Sequence, residues 1–168
     1  MQRRVFLSLS ATAAALALSG CGFALRKAPN FAFSTLFSSL GEGSPLGVEL
    51  RRSLQSTRKV EVISDPRRIN EAQVILDVLG DQREKVVLST NASGQVREFQ
   101  LRLRFRFRLR TLAGKELIPD TEILQQRDIS FNESAVLAKE AEEALLYRDM
   151  QNDVVQQIMR RLAAVTEI

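Results

Sequence analysis

The sequence predicts an α+β two-layer sandwich, a mixed four-stranded sheet built as an antiparallel meander plus one parallel crossover strand, with two helices on one face. Three observations predict it. Three long strand signals follow one another between residues 73 and 131, separated only by short turn sequences, as in a meander. Leu46, Leu50 and Leu54 stand four apart before them, and Leu146, Met150, Val154, Ile158, Leu162 and Val165 form a second helical stripe after them. A helix with one apolar stripe and a sheet with one apolar face bury each other, and that pairing is the two-layer solution.

The elements follow in order. Phe31 to Phe37 has the aromatic and β-branched content of a first strand, and Gly41 to Gly43 interrupts it. Ser44 before Pro45 opens a helix that ends near Thr57, because the serine oxygen accepts from an orphan N–H and proline at the first helical position wastes none. Val60 to Ile63 is a brief extended stretch ending at Asp65-Pro66, short enough for an edge. Gln73 to Leu88 alternates through Val74, Leu76 and Val78, and Asn91 to Gly94 supplies its turn. The first strand, the first helix and this strand form a crossover, which makes the strand pair parallel.

The next strand, Gln95 to Thr111, is the most regular stretch of the chain. Phe99, Leu101, Leu103, Phe105, Phe107 and Leu109 lie on one face, and Arg102, Arg104, Arg106, Arg108 and Arg110 on the other. Ala113-Gly114-Lys115 turns the chain into a third strand, Glu116 to Phe131, which Pro119-Asp120 must bulge or break. Asn132 to Lys139 reads as a polar connection into the long closing helix.

Five arginines on one strand face stand about 6.6 Å apart, and each neighbouring contact costs roughly 0.6 kcal/mol in water before screening. Cross-strand carboxylates offset this readily. If the hairpin closes at Asn91 and Gly94, opposite residues sum to 185: Arg104 meets Asp81, Arg108 meets Asp77, Phe107 meets Val78, Leu109 meets Leu76 and Phe105 meets Gly80. Arg102 then meets Arg83 and Arg106 meets Leu79, both without a direct cross-strand carboxylate. One reading of this face is a solvated surface of interleaved charges; the other is a surface for a polyanion.

The N-terminus bears on which polyanion. Arg3 and Arg4 precede an uncharged segment, Val5 to Leu18, and Leu18-Ser19-Gly20-Cys21 closes it. The segment has the length of a secretory h-region and is short for the roughly 20 residues of a membrane-spanning helix. The pattern is similar to a bacterial lipoprotein signal, which implies cleavage before Cys21, a diacylglycerol on its sulfur and an acyl chain on the new amino group. Two or more chains hold a protein to a membrane stably. Gly22, where an aspartate is associated with inner-membrane retention, favours the outer membrane. The expected organisation is a signal peptide over 1–20, a lipidated tether over 21–29 and one α+β domain over 30–168. Without its first 20 residues the chain keeps 22 basic residues, because Arg3 and Arg4 are lost from 24, against 20 acidic ones.

Composition narrows the chemistry. The chain has one cysteine, assigned to the lipid, and no histidine. This removes disulfides, Ser-His and Cys-His nucleophiles, and the commonest transition-metal ligand. No paired-carboxylate motif or glycine-rich phosphate loop stands out, so neither an enzyme nor a resident cofactor or metal is expected. An exported lipoprotein rarely meets nucleic acid, and in an outer membrane the abundant phosphorylated glycolipid is lipopolysaccharide.

Cys21-Gly22-Phe23-Ala24-Leu25-Arg26, the helix-opening Pro45-Leu46, Gly94 to Gln100 entering the second long strand, and Leu137-Ala138-Lys139 together resemble the lipopolysaccharide-assembly lipoprotein family LptE. The resemblance spans nearly all of the chain after the signal, through motifs that are specific only in combination. It implies two helices on a four-stranded sheet, a 1:1 plug inside the outer-membrane barrel LptD that assists the barrel's assembly, and contact with lipopolysaccharide. Lys139 matches the lysine of the family's Leu-Ala-Lys motif, which is tied to glycolipid contact. A second basic position of the family, in the first hairpin turn, is Ala92 here, and Arg97 just past the turn is its nearest substitute. The glycolipid-contact residues expected are therefore Lys139, Arg106, Arg102 and Arg97. The competing reading is an auxiliary lipoprotein of another envelope transport complex, with no glycolipid ligand.

Overall fold

A computed structural model describes residues 29–168, so the signal segment, Cys21 and all of the tether before Pro29 lie outside the described residues. The chain order is β1 (Thr35–Ser38), α1 (Pro45–Ser56), β2 (Glu61–Ile63), a 3-10 segment (Pro66–Glu71), β3 (Val74–Thr90), β4 (Val96–Thr111), β5 (Glu116–Ser130), a 3-10 turn (Glu133–Ala135) and α2 (Val136–Ala163). The class is the one expected, α+β with a mixed sheet, but the sheet has five strands in the order β2-β1-β3-β4-β5. The additional strand is the short stretch read as an edge, which pairs parallel with β1 at Thr35–Glu61, Leu36–Val62 and Phe37–Ile63. β1 also pairs parallel with β3, through Leu36–Val74, Phe37–Ile75 and Ser38–Leu76. It is shorter than Phe31 to Phe37 suggested, because its partner β3 begins only at Val74.

Helix α1 starts where its sequence dictates: Ser44 Oγ accepts from the Gly47 N–H at 3.2 Å, with Pro45 following. The Asn91 turn closes through Asn91 Oδ1, which accepts from the N–H groups of Ser93 and Gln95, while Gly94 takes a left-handed φ of 79°. Phe105, Phe107, Leu101, Leu103 and Leu109 are fully buried against Leu46, Leu50 and Leu54 of α1 and Met150, Val154, Ile158 and Leu162 of α2. Residues 29–168 thus close a core of their own. A second, smaller core of Phe37, Ile63, Ala72 and Ile75 lies outside this cluster, with Ile69 of the 3-10 segment packed against it.

Three expectations are corrected. First, the 185 register holds from Val74–Thr111 to Val78–Phe107, then slips by one at a bulge between Val78 and Gly80. Beyond it Gln82 opposes Arg104, Glu84 opposes Arg102, Gly80 opposes Arg106 and Asp81 opposes Phe105. The reason is electrostatic and steric at once. The uninterrupted register sets Arg83 against Arg102 and turns Glu84 to the face that carries the α2 carboxylates; the bulge moves Arg83 off Arg102, sets Glu84 opposite it without an ion pair, and brings Lys85 to Glu143 at 2.6 Å. Secondly, Arg106 is not left without a carboxylate, because Asp120 of β5 reaches it. Pro119-Asp120 falls at a register shift of the β4–β5 ladder, between Leu109–Ile118 and Phe107–Thr121, which is the bulge expected there. Thirdly, α2 begins at Val136 instead of after Lys139, since Asn132 Oδ1 accepts from Ser134 N at 3.0 Å and starts the turn early. Lys139 therefore sits in the first turn of the helix.

Candidate functional site

The arginines of β4 project from the sheet face opposite the helices, and most have found acids. Arg108 and Arg110 share Asp77, each Nε lying 2.8 Å from Asp77 Oδ2. Burial pushes the Asp77 carboxyl up, but the guanidinium groups of Arg110 and Arg108 together outweigh this and hold it below the usual aspartate range. Arg104 pairs with Glu122 at 2.9 Å, and Arg106 with Asp120, which holds the guanidinium proton more firmly than usual. Arg102 alone of the five makes no ion pair among the described residues; its Nε donates to Gln100 Oε1 at 2.8 Å. Arg3, Arg4, Arg26 and Lys27 precede the described residues, so the domain holds 24 − 4 = 20 basic residues against 20 acidic ones. This face is therefore a mosaic of interleaved charges in which four of the five arginines are ion-paired.

Lys139 lies on the other side of the sheet. Its Nζ donates to Ser130 Oγ at 2.9 Å and to Glu142 Oε2 at 2.8 Å. It lines a cleft of about 240 Å³ between the first turn of α2 and the ends of β4 and β5, together with Lys85, Phe99, Ile129, Phe131 and Val136. Phe99 and Phe131 meet edge to face at 5.3 Å, and Lys85 Nζ stands 4.4 Å from the centre of the Phe99 ring. Glu140 and Glu143 also border this cleft. A second, more open cleft on the far side of the Lys85–Glu143 pair is lined by Arg83, Tyr147 and Gln151. There Arg83 stacks over the Tyr147 ring at 5.2 Å, and Tyr147 Oη donates to the Glu84 carbonyl at 2.8 Å.

Of the four expected contact residues, the fold brings Arg97 and Lys139 to the same end of the sheet. Arg97 is exposed and lines a small recess with Phe131, the residue that also lines the Lys139 cleft. Arg102 and Arg106 belong to the opposite face and do not join them. Ala92 is exposed in the hairpin turn. The sequence reading missed Lys85 and the Phe99–Phe131 pair, because only the β3 bulge turns Lys85 to the helix side. Cys21 lies outside the described residues. Among the described residues no helix is long and apolar enough to cross a membrane.

Comparisons with known proteins agree with this architecture. The profile of the lipopolysaccharide-assembly family LptE matches residues 30–162. The LPS-assembly lipoprotein LptE of Yersinia enterocolitica is 29% identical over 173 residues, covering 98% of this chain and 78% of the relative; that of Yersinia pestis strain Pestoides F is 28% identical over 168 residues, with the same coverage. The solution structure of a lipoprotein B from Nitrosomonas europaea superposes with a TM-score of 0.71 at 35% identity, covering 86% of this chain and 92% of that one. The rare lipoprotein B of Shewanella oneidensis shares the fold with a TM-score of 0.63 at 24% identity, covering 77% of this chain and 92% of its own.

Proposed function

Because this chain belongs to the lipopolysaccharide-assembly family LptE, we propose that it is an outer-membrane lipoprotein, acylated at Cys21, that plugs the LptD barrel, assists its assembly and contacts lipopolysaccharide on the way to the outer leaflet. The observation that carries the plug is the uncovered sheet face. It is broad, rigid and largely polar, with Arg104, Arg106, Arg108 and Arg110 already ion-paired, so against a polar barrel lumen Arg102 is the one guanidinium of these five that needs a carboxylate from the barrel. The acyl anchor adds to this by raising the local concentration of plug near barrel, so single contacts can be modest.

Glycolipid contact is assigned to the end that carries Lys139 and Arg97, with Arg102 and Arg106 acting from the other face. Lys139 is restrained by partners that can be exchanged: its pair with Glu142 is an i,i+3 contact whose carboxylate is half exposed, and such pairs contribute about 0–1 kcal/mol. A phosphate oxygen replaces that carboxylate by a charge-assisted hydrogen bond.

The test has two parts. Purification from envelopes recovers the chain in equal amount with LptD; recovery with an inner-membrane transporter instead supports the auxiliary-subunit reading. Purified protein carrying Lys139→Glu binds lipopolysaccharide at least several-fold more weakly than the wild type, and the same substitution at Arg106 acts separately because that residue faces the other way. Unchanged binding in both variants rejects the assigned contacts.

A further inference from the structure

We propose that the cleft under the first turn of α2 is a site for one alkyl chain of an anionic amphiphile, the chain lying on Phe99, Ile129, Phe131 and Val136 and the anionic head meeting Lys85 and Lys139. The inference rests on the glycolipid reading above and adds to it that the chain, more than the charge, supplies affinity at this end of the molecule.

The lining argues for this division. The cleft is lined by two phenylalanine rings, an isoleucine and a valine, with Lys85 and Lys139 beside them and the Lys85 ammonium over the Phe99 ring. At about 240 Å³ it exceeds the roughly 150 Å³ of apolar cavity that accepts a benzene ring. Exposed apolar residues stand nearby: Val87, 49% exposed, pairs across the strands with Phe99, and Leu137, 82% exposed, follows Val136. Charge alone does not make this an anion site. Lys85 and Lys139 are matched by Glu143 and Glu142, and Glu140 stands beside them, so an anionic head gains only what exchange of partners allows. Burial of methylenes has no such competitor. The Lys85 ammonium over the Phe99 ring also marks the boundary an amphiphile needs, with an apolar surface below and a cation above.

The experiment uses residues 29–168, which close their own core, and a series of butyl, hexyl, octyl, decyl and dodecyl phosphates below their micelle concentrations. Affinity should rise about fourfold per added methylene and level off once the cleft is filled. NMR shifts should be saturable and centred on the Ile129 and Val136 methyl groups. Val136→Trp, which crowds the lining from a half-exposed position, should weaken octyl phosphate at least tenfold, whereas Ala113→Trp at the opposite end should leave it unchanged. Shifts scattered over the surface, affinity independent of chain length, or equal binding by Val136→Trp would overturn the site. Lipopolysaccharide binding is measured alongside. If it persists in the wild type while no alkyl phosphate binds, the cleft assignment fails and the glycolipid reading stands; if the wild type binds neither, both fail.

Discussion

Lys85 Nζ lies 2.6 Å from Glu143 Oε2, so one ion pair ties the far half of β3 to the first turns of α2. The pair exists because β3 bulges after Val78 and turns its odd-numbered residues to the helix side. Both side chains keep partial solvent access, 36% and 23%, so the coupling is modest. A double-mutant cycle of Lys85→Ala and Glu143→Ala, followed by urea unfolding, is expected to give about 0.5–1 kcal/mol of interaction. Lys85→Ala alone costs somewhat more, because it also removes the cation from the Phe99 ring.

The two faces of the sheet differ sharply in what they contribute to stability. Phe105 is fully buried at the centre of the core, whereas Leu124, across from Arg104 on the uncovered face, is 41% exposed. Phe105→Ala is expected to cost about 3–5 kcal/mol. Leu124→Ala should stay within about 0.5 kcal/mol. Denaturant midpoints of the two variants at unchanged m-value check the contrast. Comparable losses would mean that the uncovered face is packed in the isolated chain.

Two aspartates on β3 are expected to give opposite pH dependences. The Asp77 carboxyl is held below its ordinary value, so its contribution is present above the unfolded-state value and is lost as the pH falls through the lower folded one. Asp77→Asn therefore destabilises at neutral pH, and the deficit closes in acid. Asp81 is pushed up by burial, only partly opposed by Arg83. Its ionisation costs stability as the pH rises through the raised folded value, so Asp81→Asn stabilises at neutral pH and the gain vanishes in acid. Thermal midpoints between pH 3 and pH 7 distinguish the two.

Sequence patterns gave the layers, because their periods are long and unbroken. Six apolar residues alternate from Phe99 to Leu109, and a 28-residue helix repeats its stripe from Leu146 to Leu162, so neither could be read another way. The Ser44-Pro45 start and the Asn91 turn were equally legible, since each rests on a single side-chain acceptor. The bulge after Val78 was not. Its signal, Leu79-Gly80, is weak, and the cause is an avoided Arg83–Arg102 contact that appears only once two strands are aligned. That one-residue slip moved Asp81 off Arg104 and brought Lys85 to the cleft, so the candidate site was the part least open to sequence reasoning. Glu61–Ile63 showed itself as extended, but three residues carry no information about which edge they join.

The central claim is that the uncovered arginine face lies against the inside of the LptD barrel. Photo-cross-linking in intact envelopes from Leu124 and Gln126 on that face, with the exposed Asn152 of α2 for comparison, tests it most directly. The account predicts adducts with LptD from both sheet positions. Adducts from those positions to an inner-membrane transporter, or none to LptD while the chain is present in the outer membrane, would contradict it.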